Sequence, residues 1–378
     1  MNIIVLGAGL VGAPMAIDLA KDPQFKVTVA DISETNLFKL ALVENIKTIQ
    51  TDLSDKARLK KLLTSFDMVL SAVPGFMGYE TLKTIIEAGK NVIDIAFFPE
   101  DLFTLDELAI EKGVIVISDI GVAPGMSNVL IGHVDQLMDS TNKAITYVGG
   151  LPVIREWPYE YKAGFSPIDV IEEYTRPARY IENGKEVIKP ALSDPEFINF
   201  KGVGTLEAFN SDGLRSLANT IDAPYMIEKT LRYPGHIEKM AMLRDTGFFN
   251  KEEIEVNGVL ISPLDLTTKL LFPKWELKEG EEDLTIMQVI IEGIKDGKKL
   301  RYTYDLLDYY DPETRTHSMA RTTGYTATMA VRMIASGLYT KKGVSAPEFI
   351  GQHKECVNFL LEGLAERGVN YKETIVEL

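Results

Sequence analysis

The chain opens with an apolar run, residues 2–6, that gives way to Gly7-Ala8-Gly9-Leu10-Val11-Gly12 and then to helical periodicity over residues 13–21. A strand, a glycine turn and a helix in that order demand a particular backbone. Gly7 permits the tight turn, Gly9 lets the chain approach a ligand closely, and Gly12 lets the helix pack against the strand. Free amides and a partial positive charge at the helix start then suit a pyrophosphate. A second strand, residues 26–30, ends in Asp31, where such a unit places a carboxylate on an adenosine ribose. A dinucleotide is therefore expected on Gly7, Gly9, Leu10, Val11, Gly12, Asp31 and Ile32. Asp31 accepts from a 2′-hydroxyl but repels a 2′-phosphate, and Ile32, Ser33 and Glu34 bring no basic side chain, so NAD is expected rather than NADP. In the alternative reading Asp31 only begins a turn and Ser33 caps the next helix.

Alternation continues with strands at 46–50, 68–71, 92–95 and 114–118, and with helices at 55–65 (capped by Ser54), after Gly78, and at 105–112. Six such strands make an α/β, doubly wound parallel sheet, a Rossmann domain. Ligands in this architecture bind beyond the carboxyl ends of the strands. That rule singles out Ala72-Val73-Pro74, Asp94 with Ala96, and Asp119 with Gly121. Ordinary turn chemistry is the competing explanation for each of these residues taken singly.

With 378 residues the chain has room for two domains at about 150 residues each. Its formal charge of -15 disfavours nucleic acid and anionic membrane partners. The lone Cys356 excludes an internal disulfide framework and fits a reducing, cytoplasmic setting. Four scattered histidines give no metal signature. Residues 1–19 lack the basic start of a signal peptide, and no segment reaches the about 20 apolar residues of a membrane span.

After a linking helix at 126–137 the pattern changes to strand-like stretches at 144–149, 198–201 and 253–261, and to a hairpin, 286–295 with 299–307, turning at Asp296-Gly297. Beyond Asp311 a helix with Ala327, Ala330, Val331 and Ile334 on one face returns toward the first domain. These features predict an inserted domain with a mixed or antiparallel sheet over 126–319. The first domain then spans 1–125 and is completed by 320–378.

Together with the glycine turn, the segments Ile120-Gly121-Val122-Ala123-Pro124-Gly125, Tyr147-Val148-Gly149-Gly150-Leu151-Pro152, Glu207-Ala208-Phe209 and Leu231-Arg232-Tyr233-Pro234-Gly235-His236 resemble the saccharopine dehydrogenase family. The resemblance covers nearly the whole chain and is nearer to the L-lysine 6-dehydrogenase branch than to the saccharopine-forming reductases. Ala123 and Val148 stand where the reductases tend to carry aspartate and cysteine. Asn210-Ser211-Asp212-Gly213-Leu214-Arg215-Ser216 replaces a stretch that helps them hold the glutamate half of saccharopine. The resemblance implies a nicotinamide cofactor, a small amino-acid substrate, usually a homodimer, and an enzyme that oxidises the ε-amine of lysine with release of ammonia. Oxidation of the secondary amine of saccharopine is the alternative, and a redox-inactive NAD-binding regulator the remaining one.

Amine oxidation requires a neutral nitrogen, because only its lone pair expels hydride. His236, in a loop-to-helix junction, and Lys162 are candidate bases, with Asp94 as a third. Arg215 and Arg232 offer bidentate carboxylate clamps. Asp119, Asp212 and Tyr161 complete the expected substrate contacts. A capping histidine, a solvated lysine and internal ion pairs are the competing explanations. Trp157 with Tyr159 and Tyr161 reads as a buried aromatic patch, and the acidic run 279–283 as a solvated loop.

Overall fold

A computed structural model describes residues 1–278 and 280–378. The chain divides into two compact units, the first made of 1–139 and 319–371, the second of 140–318 and 372–378. The helix Met126–Leu137 therefore belongs to the first unit, and the division falls after it rather than at 125/126. Its crossing with the helix Pro347–Gly351 explains why, since glycines at 132 and 351 let the two backbones meet.

The first unit is a seven-stranded, all-parallel sheet. Strands β1 (Asn2–Leu6), β2 (Lys26–Asp31), β3 (Ile46–Gln50), β4 (Met68–Ser71), β5 (Asn91–Asp94) and β6 (Ile115–Ile117) lie in the order 6-5-4-1-2-3, and Gly343–Ser345, seventeenth in the chain, pairs outside β6. Six strands were expected from the first third of the chain. The seventh is supplied by the C-terminal segment, whose three residues are too short to show a period. Val, Ile and Leu dominate both faces of the inner strands because helices cover both sides, whereas the edge strand β3 is buried only at Ile46. The helix after β3 runs Lys56–Leu63 and is capped by Asp55, which accepts from Arg58 N at 3.0 Å. The expected cap, Ser54, instead bonds Asp52. The helix expected after Gly78 begins earlier, at Gly75.

The second unit centres on a nine-stranded mixed sheet. Strands β7 (Ser140–Pro152), β8 (Ala178–Glu182), β9 (Lys185–Lys189), β10 (Glu196–Phe200), β11 (Gly204–Asn210) and β12 (Tyr225–Arg232) precede a separate exposed hairpin, β13 (Ile254–Val256) with β14 (Val259–Ile261). The long hairpin β15 (Asp283–Lys295) and β16 (Lys298–Tyr309) follows, and β18 (Tyr371–Glu377) closes the edge beside β16. Its order is 10-11-12-7-15-16-18, with β12 and β7 parallel and the other neighbours along β10–β12 and β7–β16 antiparallel. Asp296 and Gly297, both left-handed, make the two-residue turn expected there. The stretch expected as one strand at 253–261 folds back on itself, because Asn257 and Gly258 are also left-handed. A helical layer, including Pro167–Thr175, His236–Thr246 and Pro263–Trp275, packs an apolar core around Tyr174, Phe209 and Trp275.

Candidate active site

In the first unit the glycine turn is tied to β2 by main chain and side chain. Gly7 N donates to Ala30 O at 2.8 Å, and Ala8 N donates to Asp31 Oδ2 at 2.6 Å. Ser33 N donates to Asp31 Oδ1 at 2.7 Å, and the Ser33 hydroxyl caps the helix Glu34–Ala41. A side chain at Gly12 would overlap the Gly7 carbonyl, so close packing requires glycine there. At Gly9 an added Cβ would meet nothing within 4 Å. The turn thus faces open space where the helix Gly12–Ala20 begins without a side-chain cap. That cradle fits a dinucleotide: the turn would hold its pyrophosphate, and Asp31 with the exposed Ile32 would lie on its ribose side. Leu10 is exposed, Val11 is buried against the turn, and Ala72, Val73 and Pro74 leave β4 beside Gly7.

Asp94 ends β5 and is fully buried with Ala96 just beyond it. Ser118 donates to Oδ2 at 3.1 Å, while Oδ1 lies beside Ser71 without a partner of hydrogen-bonding geometry. Burial pushes the carboxyl up to about 7; Ser71 and Ser118 oppose the shift and the neighbouring Asp119 adds to it. Asp119 is left-handed and leads into Gly121, which closes a tight loop by accepting from Met126 N at 2.9 Å.

The second unit holds the remaining candidates. His236 begins the helix His236–Thr246 and is buried, with both ring nitrogens occupied. Nδ1 donates to Tyr159 O at 2.8 Å, and Nε2 accepts from the Tyr174 hydroxyl at 3.0 Å. Burial lowers its pKa to about 3, with the Arg232 charge acting the same way. This corrects the expectation of His236 as a base, since its lone pair is already used inside the fold. Arg232 Nε donates to Tyr174 Oη at 3.1 Å, Nη1 to Leu231 O at 3.0 Å and Nη2 to Glu173 Oε2 at 2.6 Å. Its guanidinium also lies 4.5 Å from the Tyr161 ring centre. Arg232 and Tyr161 are therefore packing partners of His236, with Tyr161 edge-on to Trp275, and not an open carboxylate clamp.

Lys162 is buried and ion-paired at 3.3 Å to both Glu156 and Glu281, so its side chain is held between two carboxylates of its own unit. Glu281 and the buried Asp283, which accepts from Ser318 N at 2.7 Å, also depart from the expected solvated loop; Glu279 of that run lies outside the described residues. Trp157 is 81% exposed rather than part of a buried aromatic patch. Asp212 receives Arg179 in a two-pronged pair, 2.9 and 3.1 Å. Arg215, buried and left-handed, lies close enough to Arg176 for its charge, after burial, to lower the Arg176 pKa. Sequence reasoning missed Arg176 and Arg179, because nothing local distinguishes them from surface arginines.

Two family models cover the chain: the saccharopine dehydrogenase NADP binding domain matches residues 3–117 and the saccharopine dehydrogenase C-terminal domain matches residues 121–369. The chain belongs to the saccharopine dehydrogenase family. It is an oxidoreductase of that family, acting on CH–NH donors, with an NAD(P)-binding domain. The NADP(+)-dependent, L-glutamate-forming saccharopine dehydrogenase of Schizosaccharomyces pombe is 26% identical across 100% of this chain and 99% of its own length. Among solved structures, apo L-Glu-forming saccharopine dehydrogenase from Saccharomyces cerevisiae superposes with a TM-score of 0.80 at 22% identity, covering 99% of each chain. Homospermidine synthase from Legionella pneumophila, in complex with NAD, gives 0.65 at 12% identity over 100% of this chain and 91% of that one. These structural likenesses establish the shared fold. Among the described residues no helix is long and apolar enough to cross a membrane.

Proposed function

We propose that this saccharopine dehydrogenase family member oxidises the CH–NH bond of a secondary amine carrying several carboxylates, a substrate of the saccharopine kind. The observation that carries this reading is the arginine group Arg176, Arg179 and Arg215 in the second unit. Arg215 adds its charge to the desolvation that lowers the Arg176 pKa, while Glu172, 3.6 Å from Arg176, and Asp212, paired with Arg179, act against it, so a substrate carboxylate would join a set of charges already gathered there. A substrate with more than one carboxylate makes use of such a group. Relatives named as saccharopine dehydrogenases support the same choice over the lysine ε-amine expected from sequence.

When bound, the dinucleotide takes the hydride from the CH–NH carbon. The glycine turn and Asp31 orient it, and the 121–125 loop shapes the ground beyond β6. Asp94 and Asp119 are the acid–base candidates of the first unit. A carboxyl whose pKa stands near 7 exchanges a proton with little cost at neutral pH. His236, Tyr174 and Arg232 maintain the second unit's packing and move no proton. Asp212 and Arg215 bind the substrate's polar ends. Asp31 favours NAD as cofactor, although the matching domain model and the S. pombe relative are named for NADP. We also propose a homodimer, which sedimentation equilibrium tests.

Ala123 and Val148 favour a second reading, oxidation of lysine itself, because they lack the polar groups usual in the reductases. Assays of the full chain with saccharopine and with lysine, each with NAD and NADP, separate the two. Reduced nicotinamide and glutamate from saccharopine support the first reading. Turnover on lysine alone replaces it with the second, and turnover on neither overturns both.

A further inference from the structure

We propose that Glu228 is the positioning residue for loop 211–216, holding Arg215 and Asp212 where they meet a substrate carboxylate and amine; this rests on the substrate reading above. The loop begins where β11 ends at Asn210 and stops at the short helix Leu217–Thr220, so no strand ladder fixes it. Its anchor is a carboxyl on the neighbouring β12. Glu228 Oε2 accepts from the Ser211 hydroxyl at 2.6 Å and from Gly213 N at 3.1 Å. The Ser211 and Thr230 hydroxyls, 2.7 Å apart, extend the contact along the strand. A side chain at Gly213 would run into the Glu228 carboxyl, so the loop backbone is pressed directly against it. From the same loop Asp212 takes Arg179, and Arg215 holds a left-handed conformation at φ 53°.

The anchor works by accepting hydrogen bonds and does not depend on charge. Burial raises the Glu228 carboxyl to about 8; Ser211 and Gly213 N oppose the shift, and the acids Glu173 and Asp212 add to it. A glutamine keeps an accepting oxygen of the same reach, whereas an alanine removes the anchor and leaves the Ser211 hydroxyl and Gly213 amide without it.

The test compares wild type, Glu228→Ala and Glu228→Gln by steady-state kinetics on the full chain with its amine substrate. Glu228→Ala should raise the amine KM at least about tenfold while the dinucleotide KM moves less than about twofold, and Glu228→Gln should recover most of that loss. A folded Glu228→Ala with an unchanged amine KM overturns the proposal, as does a folded Glu228→Gln that recovers nothing. Should the alanine variant not fold, Gly213→Ala, which pushes a methyl into the carboxyl, must raise the same KM; an unchanged value overturns the role. If wild type oxidises neither saccharopine nor lysine, the substrate reading fails separately. Hydrogen exchange then decides the loop: amides 211–216 must lose protection in Glu228→Ala or Gly213→Ala, and equal protection refutes the anchor.

Discussion

Asp31 meets two backbone amides, one on each carboxylate oxygen. A carboxylate oxygen can accept more than one hydrogen bond, so a ribose hydroxyl still has a place. Asp31→Ser with Ile32→Arg removes the repulsion of a 2′-phosphate and supplies a cation for it. The ratio of kcat/KM for NAD over NADP should fall at least about tenfold, equivalent to about 1.4 kcal/mol; an unchanged ratio would exclude Asp31 from cofactor choice. His236 behaves differently. Its folded value of about 3 lies below the ordinary 6.5, so on acidification the unfolded chain takes up the proton first. The stability it contributes is intact above pH 6.5 and is lost as pH falls toward 3, at up to about 1.4 kcal/mol per pH unit. Thermal unfolding followed from about pH 7 to about pH 4.5 should show a shallower decline for His236→Gln than for wild type; parallel declines would contradict this. The position of Asp31 was legible because it follows from the strand it ends. His236 was misread as a base because its burial is set by Tyr159, Tyr174 and Arg232, none of them identifiable as neighbours from spacing.

The glycine turn shows how one element separates folding from binding. Gly12 has no room for a methyl, and Gly9 has nothing in front of it. Gly12→Ala should cost about 1–3 kcal/mol of stability through overpacking. Gly9→Ala should leave the urea midpoint nearly unchanged while weakening dinucleotide binding about tenfold or more, read by calorimetric titration. Equal effects of the two variants on stability would mean that the turn has no open face. The Rossmann strands were legible because runs of Val, Ile and Leu between glycines and caps are local signals. β12 was not, since it reads Tyr-Met-Ile-Glu-Lys-Thr-Leu-Arg yet is buried almost throughout. Its Glu228, Lys229 and Arg232 are tolerated because each meets polar partners: Ser211, Glu196 and Glu173 respectively. Polar residues buried by pairing do not produce the alternation from which a strand is recognised.

Across the whole molecule the chain leaves the first unit after 139, returns at 319 and crosses again near 371. The return is fixed by charge as well as by apolar packing. Asp18, buried in the helix behind the glycine turn, takes Arg332 Nη1 at 2.6 Å, Arg367 Nε at 2.9 Å and the Thr328 hydroxyl at 2.6 Å. Burial opposes its ionisation, but the two arginines outweigh that and hold its pKa below the usual range. Asp18→Asn leaves Arg332 with Asp22 alone, 2.7 Å away, and deprives Arg367 of its buried carboxylate, and should cost about 3 kcal/mol in urea unfolding. Adding Arg332→Met should cost less than the two single changes summed, because they share one network; strict additivity would mean that the cluster does not act as a unit. By itself the sequence determined the parallel α/β unit, its glycine turn and the acid beside it, because period, turn chemistry and capping act over a few residues. Only the tertiary structure decided which charges are usable: Arg232 is spent on Glu173, Lys162 on Glu156 and Glu281, and Asp18 on an arginine 349 residues away. A side chain's protonation and pairing depend on neighbours brought together by packing, which distance along the chain does not reveal.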